Sequence, residues 1–151
     1  MQQTLVLLKP DAVERRLVGE ILGRFERKGL AVTAMKLIQI SPELAKRHYE
    51  EHVAQPFYLG LEQYITSGPV VAAILEGSEA IKVVRTMVGP TNGIDAPAGT
   101  IRGDFSLSPQ QNLVHASDSP ESAKREIELF FHNPLAASPC EAHCSLCKSE
   151  F

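Results

Sequence analysis

Cationic and polar residues gather where this sequence leaves its patterned segments. Lys9 follows the first apolar run, Arg85 lies late in an amphipathic segment, Thr91 and Arg102 lie in a long unpatterned stretch, and Asn112 and His115 flank the last apolar run. Arginine presents a planar fork of donors that grips anionic oxygens in pairs. Histidine, with an unperturbed pKa of ~6.5, is largely neutral at pH 7 and keeps a ring lone pair for nucleophilic or proton-transfer work. No Walker-type glycine loop and no Rossmann-type glycine fingerprint occurs, so any nucleotide chemistry needs another frame.

The elements that must hold these residues are legible from periodicity. Residues 4–8 form a short apolar run rich in strand formers, ended by Pro10. Val18, Ile21, Leu22 and Phe25 make one helical stripe, capped by Gly29. Residues 30–40 mix branched apolar residues with Thr33, Lys36 and Gln39, which suits a strand with one partly wet face. Ser41 and Pro42 open a helix, and a second short helix is expected over residues 59–66. Residues 70–75 are nearly all apolar, the mark of a central strand covered on both sides. Ser78 is expected to cap the next helix, with Ile81, Val84 and Val88 on one stripe. Residues 89–111 show no sustained period, and a stretch that long is usually a functional loop. Residues 112–115 read as a final strand, and Ser119-Pro120 opens a last helix that buries Ala123, Ile127, Phe130 and Phe131. Two strand-helix-strand halves side by side imply an α+β fold, a ferredoxin-like split βαβ with a four-stranded antiparallel sheet; the alternative is an open parallel α/β sheet.

Composition narrows the classes of function. The chain has 151 residues, one domain's worth, with 44% apolar and 22% charged residues. Lysine plus arginine number 15 against 18 acidic residues, a net charge of -3, so binding to nucleic acid through bulk charge is not expected. No apolar run reaches the length of a signal-peptide core or a membrane span, and Cys147 stands one place too early for prenylation. The expectation is a cytoplasmic protein with no membrane partner.

The motifs, taken in order, carry a resemblance. Lys9-Pro10-Asp11, His48-Tyr49, Gln55-Pro56-Phe57, Arg85 with Thr91-Asn92, the run from Gly99 through Arg102 to Phe105, and Asn112-Leu113-Val114-His115-Ala116-Ser117-Asp118-Ser119 together resemble the motif series of nucleoside diphosphate kinases. Single pieces are weak, but the ordered series is highly specific.

The resemblance implies transfer of the γ-phosphate of a nucleoside triphosphate such as ATP to a nucleoside diphosphate, in two half-reactions through a phosphohistidine, maintaining nucleotide pools. His115 would be the nucleophile, phosphorylated on its pros nitrogen, and Glu126 the carboxylate on the other ring nitrogen. Arg85 and Arg102 would hold phosphate oxygens, with a hydroxyl donor from Thr91. The family pattern places Lys9 and Asn112 at the ribose hydroxyls and near the transferring phosphate, and Tyr49 and Ser117 close to the histidine. Phe57 would stack on the base by its face, which predicts broad base tolerance. Mg2+ would arrive on the nucleotide phosphates with few or no direct protein ligands. Family members are homo-oligomers, commonly tetramers or hexamers. His48, His52, His132 and His143 read as structural or surface residues.

The chain departs from the family where Ala12 and Ala116 replace glycines and Pro109 stands for an aliphatic residue opposite the base. A positive φ at either alanine would be strained. The kinase-like domain spans residues 1–133, followed by a tail, 134–151, with Cys140, Cys144 and Cys147. These cysteines and His143 are zinc-capable ligand types, but crowded into eight residues they lack the usual spacing. Free thiols are the expectation, with metal binding or bridging as alternatives.

Overall fold

The computed structural model describes residues 1–136, so the tail cysteines and His143 lie outside the described residues. Strand β1 (Gln2–Leu8) is followed by helices α1 (Pro10–Glu14) and α2 (Val18–Lys28), strand β2 (Ala31–Gln39), helices α3 (Pro42–His48) and α4 (Tyr58–Ile65), and strand β3 (Pro69–Gly77). Helices α5 (Ala80–Val88) and α6 (Ile101–Phe105), strand β4 (Val114–Ala116) and helix α7 (Pro120–Ile127) complete the frame, and a π turn (Glu128–His132) and a short 3-10 turn (Pro134–Ala136) follow. The sheet order is β2-β3-β1-β4 and all three pairings are antiparallel. This is the split βαβ arrangement; the parallel alternative is excluded.

The two-residue period of the central strands sorts their side chains into two cores. Val6 and Leu8 of β1, with Val71, Ala73 and Leu75 of β3, face Ile21, Leu22 and Phe25 of α2 and Val84 and Val88 of α5. Leu5 and Leu7, with Val70 and Ala72, face Leu44 and Ala45 of α3, Ile65 of α4, and Leu129 and Phe130 of the π turn. Burial on both faces is why β1 and β3 read as unbroken apolar runs rather than as alternating ones.

Four expectations need correction. Pro10 does not simply end β1: it opens α1, where its missing N–H is no loss. Residues 89–111 are not wholly irregular, because α6 forms there under an N-cap from Thr100, whose side chain accepts from Gly103 N–H. With one buried residue, Ile101, a helix that short shows no period. Ser78 does not cap α5: β3 runs on through Gly77, Glu79 becomes the N-cap with a left-handed φ of 49°, and Ile81 N–H is met by Gln2 Oε1 of β1 at 2.9 Å. The last strand begins at Val114 rather than at residue 112, because Leu113 holds a φ of 73° that no strand accommodates. Ala12 and Ala116 are not among the positive-φ residues, so the strain that alanine would suffer there does not arise.

Gly103 in α6 sits beside Arg102, and a β-carbon there would overlap the carbonyl oxygen of Pro97. Gly103→Ala is expected to destabilise the fold by about 1–3 kcal/mol, the ordinary cost of overpacking, and to appear as a lower midpoint in thermal denaturation.

Candidate active site

Strand β4 is three residues long and pairs with the end of β1, His115 opposite Leu7. Val114 and Ala116 turn into the first core, so His115 between them points the other way. There it meets α7. His115 Nε2 lies 3.0 Å from Glu126 Oε2, and the Ser117 hydroxyl donates to the same oxygen at 2.7 Å. Ser117 also accepts from Leu5 N–H at 3.2 Å, which ties the arrangement to β1. A carboxylate offers only acceptors, so Nε2 carries the ring proton and Nδ1 keeps the lone pair. Glu126 is 4% exposed and stands in the buried stripe of α7 between Ala123 and Phe130. A carboxylate in that position is intelligible only as a partner for something polar.

On one side of His115 is a cavity of about 200 Å³ lined by Arg85, Thr91, Arg102, Ala116 and Asp118 among others. Arg102 is fixed by the backbone: its guanidinium donates to the carbonyls of Asn112 (3.2 Å), Gly89 (3.0 Å) and Val114 (2.6 Å). Arg85 donates to Ala116 carbonyl at 3.3 Å from α5. Burial, with the neighbouring charge of Arg85, pushes Arg102 down to about 10. Lys9, 7% exposed, is pushed down to about 7 by burial and by Arg102, against the raising effect of Asp11. Two arginines converging on one cavity, with Lys9 nearby, make its field attractive to an anion.

Lys9 Nζ donates to Asn112 Oδ1 at 2.6 Å, and the Asn112 amide donates to the carbonyls of Thr91 (2.9 Å) and Pro109 (3.0 Å). Asn112 is therefore a hub linking β1 to the loops on either side of α6. Pro109, the departure opposite the expected base, contributes its carbonyl to that hub. The hub is anchored by Asp11, which accepts from Leu113 N–H at 3.2 Å and from the Tyr64 hydroxyl. Sequence reasoning passed over Tyr64; its place in α4 gave no signal. Asp118, three residues after His115, also lines the cavity, and its residue type alone does not single it out as a site residue. Hydrogen bonds from Ser122, then Ser119, with the charge of Arg85, hold its carboxyl below the usual range.

On the other side of His115 is a second cavity, of about 140 Å³, lined by His48, Tyr49, Arg125 and Glu126 among others. The Tyr49 hydroxyl is buried there without a partner, and desolvation followed by the Glu126 charge raises its pKa well above the ordinary value. Phe57 is not brought into either cavity lining. It stands 56% exposed at the start of α4, near His52, with its ring open to a flat ligand. No helix among the described residues is long and apolar enough to cross a membrane.

Comparison with known proteins matches this arrangement to one family. The sequence profile of that family, nucleoside diphosphate kinase, matches residues 2–135. A nucleoside diphosphate kinase of Rhodopirellula baltica is 64% identical over 132 residues, covering 87% of each chain. One of Archaeoglobus fulgidus is 60% identical over 131 residues, again 87% of each. Among solved structures, the nucleoside diphosphate kinase of Encephalitozoon cuniculi superposes with a TM-score of 0.86 at 37% identity, over 89% of this chain and 92% of that one. The Halobacterium salinarum enzyme, solved in complex with CDP, gives 0.85 at 46% identity, over 87% and 88%.

The lowered proton affinity of Lys9 has a measurable consequence. Between its folded value of about 7 and the ordinary 10.5, the unfolded chain holds a proton that the folded chain lacks, so this group makes stability rise with pH across that window. Lys9→Met is expected to flatten the rise in thermal midpoint between about pH 7 and pH 9.5. A parent protein with no such rise would count against a buried, easily deprotonated Lys9.

Proposed function

The chain belongs to the nucleoside diphosphate kinase family, enzymes that transfer phosphate between nucleotides, and from that membership we propose that His115 is its phosphoryl carrier. The observation that carries the reading is the His115–Glu126–Ser117 chain: a carboxylate accepting from Nε2 holds the ring proton there and leaves the Nδ1 lone pair free. In the first half-reaction the Nδ1 lone pair bonds to the γ-phosphorus of ATP as the bond to the β-γ bridging oxygen breaks, and ADP leaves. The ring then carries a positive charge, which the buried Glu126 carboxylate offsets. A nucleoside diphosphate takes the place of ADP, its terminal oxygen attacks the phosphohistidine, and the imidazole returns unchanged.

The remaining residues act by position and charge. Arg102, held by three carbonyls, keeps guanidinium N–H groups for phosphate oxygens, and Arg85 and the Thr91 hydroxyl supply further donors across the cavity. Lys9, when an anion arrives, regains its proton and meets the transferring phosphate and the ribose together with Asn112. Tyr49 lies on the far side of His115 and bounds the imidazole. Phe57 receives the base by its face, which fits any base.

Enzymes of this family need a divalent cation, and Mg2+ fits this site as a passenger on the nucleotide. The phosphate cavity is lined by two arginines, with Asp118 as its one carboxylate, too few oxygens for a protein-held Mg2+. When bound, it would offset negative charge on the nucleotide phosphates. The substrates are nucleoside di- and triphosphates, in keeping with the CDP complex of the Halobacterium salinarum relative. Assembly into a tetramer or hexamer, a cytoplasmic location, and a kinase domain over residues 1–133 with 134–151 as the C-terminal tail of the same domain complete the reading.

Purified protein with Mg-ATP and GDP should yield GTP and, with Mg-ATP alone, an acid-labile phosphate on the chain. His115→Ala should lose both, GTP formation falling by at least about a thousandfold. GTP formed undiminished by that variant would remove the histidine from the mechanism. In Phe57→Ala, loss of one stacking face should raise KM about tenfold for purine and pyrimidine diphosphates alike, with kcat little altered.

A further inference from the structure

His48 has no part in the reaction above, yet its placement is unusual. It is 5% exposed at the end of α3, and neither ring nitrogen has a hydrogen-bond partner. Its ring stands edge-on to His115 with centroids 4.6 Å apart, and against Tyr49 at 4.4 Å and Phe130 at 5.2 Å. Buried nitrogens without partners are uncommon, and each is a lone pair or proton seeking one. One donor atom each from His48, His115 and Glu126 lie within 4.8 Å of one another.

We propose that His48, His115 and Glu126 form a binding site for zinc or a similar transition-metal dication, and that its occupancy switches phosphoryl transfer off. Two imidazoles and a glutamate are the ligand set of open zinc sites, which leave a fourth position to water. Zinc bonds of about 2.0–2.1 Å place tetrahedral donors about 3.3 Å apart. His115 Nε2 and Glu126 Oε2, at 3.0 Å, already have that spacing. His48 must close the remaining gap, and it breaks no hydrogen bond in doing so. Arg125 approaches the other oxygen of Glu126, Oε1, at 4.0 Å, so Oε2 stays directed at the site. Burial, with the neighbouring Arg125 guanidinium, keeps His48 well below its ordinary proton affinity, and neutral imidazole is the form that ligates. Mg2+, which prefers oxygen ligands, would not compete there.

The block follows from proton bookkeeping on one ring. Zinc bonding to His115 Nε2 displaces the proton from that nitrogen, and the neutral ring carries it on Nδ1 instead. The lone pair that would attack phosphorus is then gone, and Glu126 is engaged with the metal. Only this inhibitory half rests on the proposed role of His115; the binding half stands alone.

The test is a calorimetric titration of zinc into nucleotide-free full-length protein carrying Cys140→Ser, Cys144→Ser and Cys147→Ser, so that tail thiols do not contribute. One zinc per chain is expected at micromolar affinity, with NMR of the His115 ring showing its proton moved from Nε2 to Nδ1. His48→Phe, which keeps a flat ring against Phe130, should weaken zinc binding at least about tenfold while Mg-dependent GTP formation stays within about threefold of the parent. Glu126→Gln gives the same binding readout should the phenylalanine disturb folding. Zinc affinity unchanged in both variants, or no zinc bound by the parent, overturns the site. Absence of GTP formation in zinc-free parent protein would instead strike the phosphotransfer reading and leave the isotherm to decide the metal site.

Discussion

The arrangement depends on the way Arg102 is held. Its guanidinium joins the carbonyls of Gly89, Asn112 and Val114, which end α5, follow the α6 loop and begin β4. Backbone oxygens carry partial negative charge without being titratable, so they hold a cation in place and do not neutralise it. A carboxylate there would have formed a closed ion pair and erased the field that an anion feels. Arg102 thus organises three segments and still lowers the proton affinity of Lys9 across the site. The crowding of these charges carries a cost that an entering anion would relieve.

The same economy governs His115. It forms a wall of two cavities, one lined by Arg85 and Arg102, the other by His48, Tyr49 and Glu126. The carboxylate that holds the ring belongs to the second, away from the arginines. Separation of these roles explains why Glu126 is buried and tied to Ser117 instead of lying open among the arginines.

Much of this was legible in the sequence, for reasons that can be stated. The covered strands β1 and β3 and the stripe of α2 are long enough to show their period, and Ser41 and Ser119 cap α3 and α7 as their types imply. The ordered motifs contain the residues that line the cavity beside His115: Arg85, Thr91 and Arg102. Less visible were features set by contacts distant in sequence. The cap of α5 comes from Gln2, 79 residues from its recipient, and nothing local to Ser78 reveals that it is displaced. Tyr64 reaches Asp11 from an adjacent helix, and His48 matters through the ring it abuts. Helices α1 and α6, five residues each, are too short to repeat any pattern.

The left-handed backbone at Leu113 has one more consequence, in the order of folding. Strand β4 makes only three pairings, too few to choose its own register, and a slip of one residue would turn His115 into the opposite core. Bonds flanking the strand hold the register: Leu113 N–H to Asp11 across 102 residues of chain, Lys9 N–H to the Leu113 carbonyl, and Ser117 N–H to the Leu5 carbonyl. Contacts so distant form late, after the intervening loop entropy has been overcome. A chain still emerging or partly collapsed therefore has its lysine and its arginines but no correctly aimed histidine. The seating of His115 against Glu126 is complete only when the two ends of the domain have met.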